Sequence, residues 1–446
     1  MKPAPVVLAA VATLVVGCRG TPGPVPPQRV VLVSIDTLRA DHLGCYGYGR
    51  PTSPGLDALA GEGVLFEDVS APSPWTLPSH ASLLTGLYPS RHGLKAHDRY
   101  LPSTVPTLAW LLGRAGFITA GVVNSYNLGP RFGLDRGFQE FSYVEETAGQ
   151  VEPSTRITDQ ALAWLRRYRG RRLFLFVHYY DVHSDYRSRA RYEEQFVSPY
   201  RGRADGTTAQ LVAFREGRVR LDDRDAAHLV DLYDAGIRQM DEELQRLTAF
   251  LRGERLLDDT LLVATSDHGE EFLERGGVLH GRTQFQEVMR VPLLMRGPGL
   301  PAGGREATPV SLVDVMPTLL GRLAVPLPPS LDGEDLGPLL RGEAGPRAGR
   351  YLFGEADHNN AAPDVTRAVR HGRYKLHLNR LTGRRELFDL TADPGERVDR
   401  AAAEPAVTGE LGARLERFMQ IRGEAAPPSR LTPEEIEKLR SLGYLN

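Results

Sequence analysis

The stretch VVLVSID, residues 30–36, is a short valine-rich run that ends on a carboxylate. Six residues are too few for a stable helix, so the run reads as a strand buried on both faces. The same pattern recurs in TAGVV (119–123), LFLFV (173–177), LLVAT (261–265) and VPLLM (291–295). Longer segments with helical spacing lie between these runs. TLAWLLGRAG puts Leu108, Leu111, Leu112 and Ala115 on one face and stops at Gly116. ITDQALAWLRRYRG does the same with Ile157, Ala161, Trp164, Leu165 and Tyr168, stopping at Gly170. The longest helix is expected over Asp223 to Leu251, with Leu229, Tyr233, Ile237, Met240, Leu244, Leu247 and Leu251 as its apolar stripe. Buried runs alternating with amphipathic helices specify an α/β fold, a mostly parallel sheet sandwiched by helices.

The pattern changes after about Arg341. TRAVRHGRYKLHLN and RRELFDL are short alternating segments joined by turn residues, which predicts a small C-terminal antiparallel sheet. TPEEIEKLRSLGYLN then reads as a capped terminal helix. This divides the chain into a main domain over 29–345 and a C-terminal subdomain over 346–446. Asp185 to Arg224 is polar and Arg-rich without sustained periodicity, and is expected to be a lid or a decorated surface.

At the other end, MKPAPVVLAAVATLVVGC carries one Lys and an apolar run too short to span a bilayer, so residues 1–18 read as a secretory signal. LVVGC resembles the lipobox of bacterial lipoproteins, which implies lipidation at Cys18 and a membrane-anchored protein of the bacterial cell envelope, on its periplasmic or extracellular face. Residues 19–28 are a Pro/Gly-rich tether. Cys45 is the one remaining cysteine; with Cys18 acylated it has no intrachain partner, and it reads as a lone buried thiol. The net charge of -2 and the lack of any nucleic-acid motif exclude a nucleic-acid partner.

In an open parallel sheet, ligands bind beyond the carboxyl ends of the strands. Asp36 follows the first strand, Asn124 the second, His178 to His183 the third, and Asp267-His268 the fourth. Singly, each could be a cap or a turn residue. Together, Asp36, Asp267 and His268 suit one divalent cation (Ca, Mn, Zn or Mg) with a position left for a hydroxyl. Thr76, in PWTLPSHASLLTG (74–86), is the candidate for that position, since an alcohol attacks well only when a metal lowers the cost of the alkoxide. Pro78 and Ser79 read as the start and cap of a helix whose N–H groups face an anionic ester.

The block from VVLVSIDTLRADHLG to SAPSPWTLPSHASLLTGLYPSRHG, then ATSDHGEEF with HGRTQFQEVMRVPLLMRGPG, then SLVDVMPTLLGRL and YKLHLNRLTGRRELFDLTADPGER, resembles the sulfatase family of the alkaline phosphatase superfamily from Gln28 to Asn446. The resemblance implies an alkaline phosphatase-like fold, metal ligands at Asp36, Asp267 and His268, and the nucleophile at Thr76, itself on the metal. Conventional members have Cys or Ser, any residue, Pro, then usually Ser-Arg, with the Cys or Ser oxidised to formylglycine. Here Thr76 is a secondary alcohol whose oxidation would give a ketone, so no formylglycine can form, and His80 replaces the arginine. Thr37 stands where many members have a second Asp, and AGVVNSYNLG offers only Asn124 where many have a Lys-and-His pair. The remaining set is similar to that of the threonine-dependent phosphoethanolamine and glycerophosphate transferases of the superfamily. His183 and His280 resemble residues that contact the substrate anion and protonate the leaving oxygen, with Asn124 as a further substrate contact. A second metal held by Asp181, His183 and His280 is the lesser alternative.

The expected activity is hydrolysis of a phosphate or sulfate ester of a small molecule, glycan or lipid through a Thr76 alkoxide, phosphorus favoured. Alternatives are a headgroup transferase, conventional sulfate-ester hydrolysis, and a non-catalytic lipoprotein binding anions or glycans.

Overall fold

The computed structural model describes residues 26–145, 153–343, 349–356 and 366–441. The expected signal segment with Cys18, the tether up to residue 25, and residues 442–446 of the expected terminal helix lie outside the described residues.

VVLVSID forms the centre of the sheet. Eight strands, β1 (Arg29–Ile35), β2 (Val64–Phe66), β3 (Ile118–Val123), β4 (Glu140–Tyr143), β5 (Leu173–Tyr179), β6 (Thr260–Ser266), β7 (Leu293–Arg296) and β8 (Gly304–Glu306), lie in the order β8-β2-β7-β6-β1-β5-β3-β4. β1 runs parallel to both β5 and β6, and β3 runs parallel to β5 and β4. Alternation along β1 sends Val30 and Leu32 into one core layer and Val31, Val33 and Ile35 into the other.

The longer helices of the main body are α1 (Pro54–Glu62), α2 (Thr76–Thr85), α3 (Leu108–Arg114), α4 (Pro153–Arg167), α5 (Ala190–Phe196), α6 (Thr208–Arg215), α7 (Asp223–Gly253) and α8 (Val315–Arg322). α2, α3 and α8 cover one face of the sheet through Leu77, Leu108, Leu112 and Leu319. α1, α4 and α7 cover the other through Leu56, Ile157, Trp164, Leu229, Ile237 and Leu244. The expected sheet sandwiched by helices on both faces is present. No helix among the described residues is long and apolar enough to cross a membrane.

Four expectations need correction. The run 291–295 begins as a strand only at Leu293, after Pro292, and β7 lies antiparallel to β6 and β2. The chain between β6 and β7 stays at one edge of the sheet instead of crossing a face, so it must re-enter in the opposite direction. Residues 185–224 are more than surface decoration and carry two short helices. α5 and α6 bury Tyr192, Phe196, Leu211 and Ala213, and two-turn helices of this length bury too few side chains to show a period. α2 starts at Thr76 with Trp75 as its cap, so Pro78 and Ser79 lie inside the helix; the Ser79 hydroxyl donates to the carbonyl of Asp267 at 2.7 Å instead of capping. Cys45 is partly buried rather than fully so, packed against the core in a single turn at Gly44–Tyr46.

The C-terminal sheet is antiparallel in sequence order, β9 (Tyr351–Ala356), β10 (Thr366–His371), β11 (Tyr374–Asn379) and β12 (Arg385–Asp389), and α9 (Pro405–Gln420) packs on it through Leu411, Leu415 and Phe418. It is clamped to the main body by the Arg370–Asp68 ion pair and by the Glu355 carboxylate, which accepts from Ser90 N at 2.8 Å. α10 (Pro433–Ser441) has the expected cap: Thr432 Oγ1 accepts from Glu435 N at 3.2 Å, and the Glu435 carboxylate accepts from Thr432 N at 2.7 Å.

Glu396 is fully buried, 3.0 Å from both Lys375 Nζ and His377 Nε2. Burial alone would raise its carboxyl, but the Lys375 ammonium and the hydrogen-bonded His377 ring outweigh it and bring it down from 4.5 to about 2. The folded-state value is depressed, so this stabilisation is fully present above about pH 4.5 and lost as pH falls toward 2. Glu396→Gln leaves a buried ammonium without its counter-charge and is expected to destabilise the protein by about 3–5 kcal/mol in chemical denaturation at pH 7.

Candidate metal centre and its histidines

Parallel pairing brings the site together. In register, Ile35 of β1 lies opposite Ser266 of β6 and Tyr179 of β5. The residues one step beyond, Asp36 and Asp267, therefore emerge side by side. Thr37 then adopts φ 57°, unusual for a β-branched residue, and the chain turns away from the sheet. That conformation is held by Thr37 N donating to Asp267 Oδ1 (3.3 Å), Leu38 N donating to Ser266 Oγ (2.9 Å) and the Tyr233 hydroxyl donating to Thr37 O (2.7 Å). After His268 the chain must pass close to its neighbour: a Cβ at Gly269 would meet the Glu287 carbonyl at 2.1 Å.

Asp36, Asp267 and His268 are wholly buried, and each offers a ligand atom within 4.8 Å of the others. His268 Nδ1 lies 2.9 Å from Gly269 O, which only accepts, so the ring carries its hydrogen on Nδ1 and Nε2 is the lone-pair nitrogen. Nε2 is 3.3 Å from Asp267 Oδ2 and 3.7 Å from Asp36 Oδ1. Burial acts to raise the Asp267 carboxyl, but the His268 and His80 imidazoles hold it below the usual carboxylate range. Burial brings His268 down to about 4. Two carboxylates and one neutral imidazole converging in a buried site fit a divalent cation. Thr76, the first residue of α2, places Oγ1 3.5 Å from Asp36 Oδ1 and 3.4 Å from His268 Nε2.

The other expected residues surround this group. Asn124 follows β3, is buried, and accepts from Tyr180 N through Oδ1 at 2.9 Å, while its Nδ2 has no partner among the described residues. The His280 ring centroid lies 4.4 Å from that of His268 and 5.0 Å from that of His183. Burial brings both His183 and His280 down to about 3. The alternative second metal site does not assemble: Asp181 Oδ1 accepts from Ser154 Oγ (2.9 Å) and Gln239 Nε2 (3.3 Å), and among the described residues Asp36, Asp267 and His268 are the one group of three close enough to share an ion.

Three contributors were not singled out as site residues from sequence. His80, whose position the resemblance gives to an arginine, is fully buried: Nε2 is 2.9 Å from Ser34 Oγ, and Nδ1 is 3.0 Å from Thr76 O and 3.2 Å from Asp267 Oδ2. It braces Asp267 and the helix start instead of meeting solvent. His80→Ala is expected to weaken cation affinity about 10–100-fold, measured by calorimetric titration of the metal-free protein. His178, inside β5, has Nε2 3.4 Å from Asp36 Oδ2. Glu270 is wholly buried with Oε1 2.9 Å from His280 Nδ1. The residue-by-residue spacing of SDHGEEF could have suggested Glu270; the roles of His80 and His178 depend on contacts between separate elements.

Comparison with known proteins agrees with this architecture. A family model described as Sulfatase matches residues 28–325, and one described as N-sulphoglucosamine sulphohydrolase, C-terminal, matches residues 275–420. Human arylsulfatase A is 28% identical over 94% of this chain and 87% of its own length. The phosphonate monoester hydrolase of Agrobacterium radiobacter superposes with a TM-score of 0.73 at 22% identity, covering 91% of this chain and 100% of its own. The structure of BT4656 with its substrate D-glucosamine-2-N,6-O-disulfate superposes with a TM-score of 0.75 at 21% identity, covering 89% and 97%. These two likenesses show the shared fold, and the family match spans every strand of the main sheet: this chain belongs to the metal-dependent sulfatase family and is a hydrolase of ester bonds.

Proposed function

We propose that this protein hydrolyses a phosphate or sulfate ester by direct attack of the Thr76 oxygen, with phosphorus esters favoured and a divalent cation held by Asp36, Asp267 and His268. The observation that carries this reading is the Thr76 hydroxyl within 3.5 Å of both Asp36 and His268, at the first residue of a buried helix. The cation, when bound, stabilises the alkoxide and offsets charge on the ester. The first turn of α2 has no side-chain cap, so its N–H groups are suited to an anionic ester oxygen. Asn124, His183 and His280 complete the set of substrate-facing groups.

A threonine cannot become an aldehyde, which separates this reaction from formylglycine-dependent sulfate hydrolysis. Phosphorus is favoured because the Asp, Thr, Asp, His set is similar to that of the threonine-dependent phosphotransferases, and phosphonate monoester hydrolases share the fold. The substrate is a small-molecule, glycan or lipid ester; one fold neighbour binds a sulfated glucosamine. We also propose that Cys18 is lipidated and anchors the protein at the cell envelope, to be checked by the mass of the N-terminal peptide.

The test loads the protein with Mn, Ca, Zn or Mg and assays phosphate monoesters, diesters, phosphonates and sulfate esters. Faster turnover of a phosphorus ester than of any sulfate ester supports the reading, and the reverse order overturns the phosphorus preference. Transfer to an added alcohol in place of water would identify a headgroup transferase.

A further inference from the structure

We propose that Ser73 and Gln284 form a subsite that reads uncharged hydroxyl groups on the alcohol half of the ester, which rests on Thr76 as the nucleophile. The preferred substrates are then esters of polyhydroxy alcohols.

Gln284 is 1% exposed, and neither Oε1 nor Nε2 has a hydrogen-bond partner among the described residues. A primary amide offers two hydrogens and two lone-pair positions, so both ends are open whichever way it is turned. Ser73 is wholly buried, and its hydroxyl is also without a partner among the described residues. Buried polar groups are nearly always satisfied, because the hydrogen bonds they made to water are lost on folding and must be replaced. Ligand hydroxyls would complete the bonds that the fold leaves open here.

The backbone brings the two residues to one stretch of β9. This is the outer strand of the C-terminal sheet, and Glu355 N donates to Pro72 O at 3.0 Å, which lays the residues before α2 along its free edge. One residue earlier, a Cβ on Gly354 would meet Gln284 Oε1 at 2.2 Å, so the amide fits against β9 only because residue 354 is glycine. Ser73 precedes Thr76 by three residues, and three residues of extended chain span about 10 Å. Gln284 follows His280 by four, and between them the Arg282 carbonyl accepts from Thr366 Oγ1 at 3.1 Å, at the start of β10. Both side chains thus sit on segments that run directly into the site, and both are as buried as Thr76 itself.

The charged groups beside this stretch are already matched. Glu355 accepts from Ser90 N at 2.8 Å and lies 3.4 Å from Arg367. Lys375, whose Nζ donates to Gln284 O, pairs with Glu396 at 3.0 Å. What stays open is one amide and one hydroxyl, neutral groups that both donate and accept. A ligand hydroxyl does both as well, whereas an ammonium or a second anion would be desolvated there without a counter-charge.

The test compares the glyceryl and n-propyl monoesters of whichever acid, phosphoric or sulfuric, the protein turns over, since the two alcohols differ only in their extra hydroxyls. Wild type is expected to favour the glyceryl ester in kcat/KM on the order of 10²-fold, and to turn over the 2-aminoethyl ester no faster than the propyl one. Gln284→Met keeps the length of the side chain without its polar atoms. It is expected to compress the glyceryl-to-propyl ratio about tenfold or more, mainly through KM for the glyceryl ester, with the propyl ester within about threefold of wild type. Its melting temperature should rise by about 1–3 °C, because an unpaired buried amide is removed. Ser73→Ala should compress the same ratio. Equal turnover of the two esters by wild type, or a preference for the aminoethyl ester, would overturn the proposal without any variant. An unchanged ratio in both variants would overturn it too; combined with a lower melting temperature, it would assign the gap to a buried water. Activity persisting in Thr76→Ala on the p-nitrophenyl ester, which carries no hydroxyl for the subsite, would reject the nucleophile and separates the two failures.

Discussion

Thr76→Ala is expected to lower turnover of every ester substrate on the order of 10⁴-fold or more, because removing an attacking oxygen eliminates the covalent route and leaves only binding and electrostatics. The methyl and hydroxyl of Thr76 are fully buried, yet Trp75 caps α2 without side-chain help and the Thr76 hydroxyl makes only long contacts, at 3.4 and 3.5 Å. Loss of that hydroxyl should therefore leave the melting temperature close to wild type. Thr76→Ser keeps a hydroxyl on the same carbon and should retain most of the activity. Intact mass of the wild-type protein should show an unmodified residue 76. Undiminished activity in Thr76→Ala would reject the nucleophile assignment.

Asp267→Asn is expected to cost cation binding and, with it, at least about 10³-fold in turnover, since the site loses one of its two negative charges. Asp267 also organises its surroundings: Oδ1 accepts from Thr37 N at 3.3 Å and from its neighbour His268 N at 3.0 Å, and Oδ2 meets His80 and His268. An asparagine reproduces the shape but presents an amide hydrogen to one of those donors or imidazoles. Metal content after dialysis, read by atomic emission, separates this from a purely catalytic defect. A variant that keeps one full equivalent of cation but loses activity would remove Asp267 from the ligand set.

Much of the site was legible because its residues sit at element boundaries. Asp36, Asn124 and Asp267 each follow a run of apolar residues that can only be a strand, and the carboxyl ends of parallel strands share one edge. His80, His178 and Glu270 were not singled out for a physical reason. His178 looks like one residue of a buried strand, and its meaning appears only because Ser34 lies opposite it, which puts its ring beside Asp36. His80 lies inside a helix, four residues from Thr76, where spacing alone says helix face. The segment 185–224 shows no hydrophobic period because α5 and α6 are too short to display one.

Local spacing along the chain specified the longer strands β1, β3, β5 and β6 and the helices α3, α4 and α7, and that Asp36 ends the central strand; covalent chemistry specified that residue 76 can never be an aldehyde. These follow from local spacing and from the covalent chemistry of one side chain. Tertiary contacts alone fixed that β7 enters antiparallel, that Asp36 and Asp267 emerge as neighbours, and that Nε2 of His268 faces the site. Those outcomes depend on hydrogen bonds between residues that are remote in sequence, or on the direction in which a carbonyl or carboxylate points, and neither leaves a periodic trace along the chain.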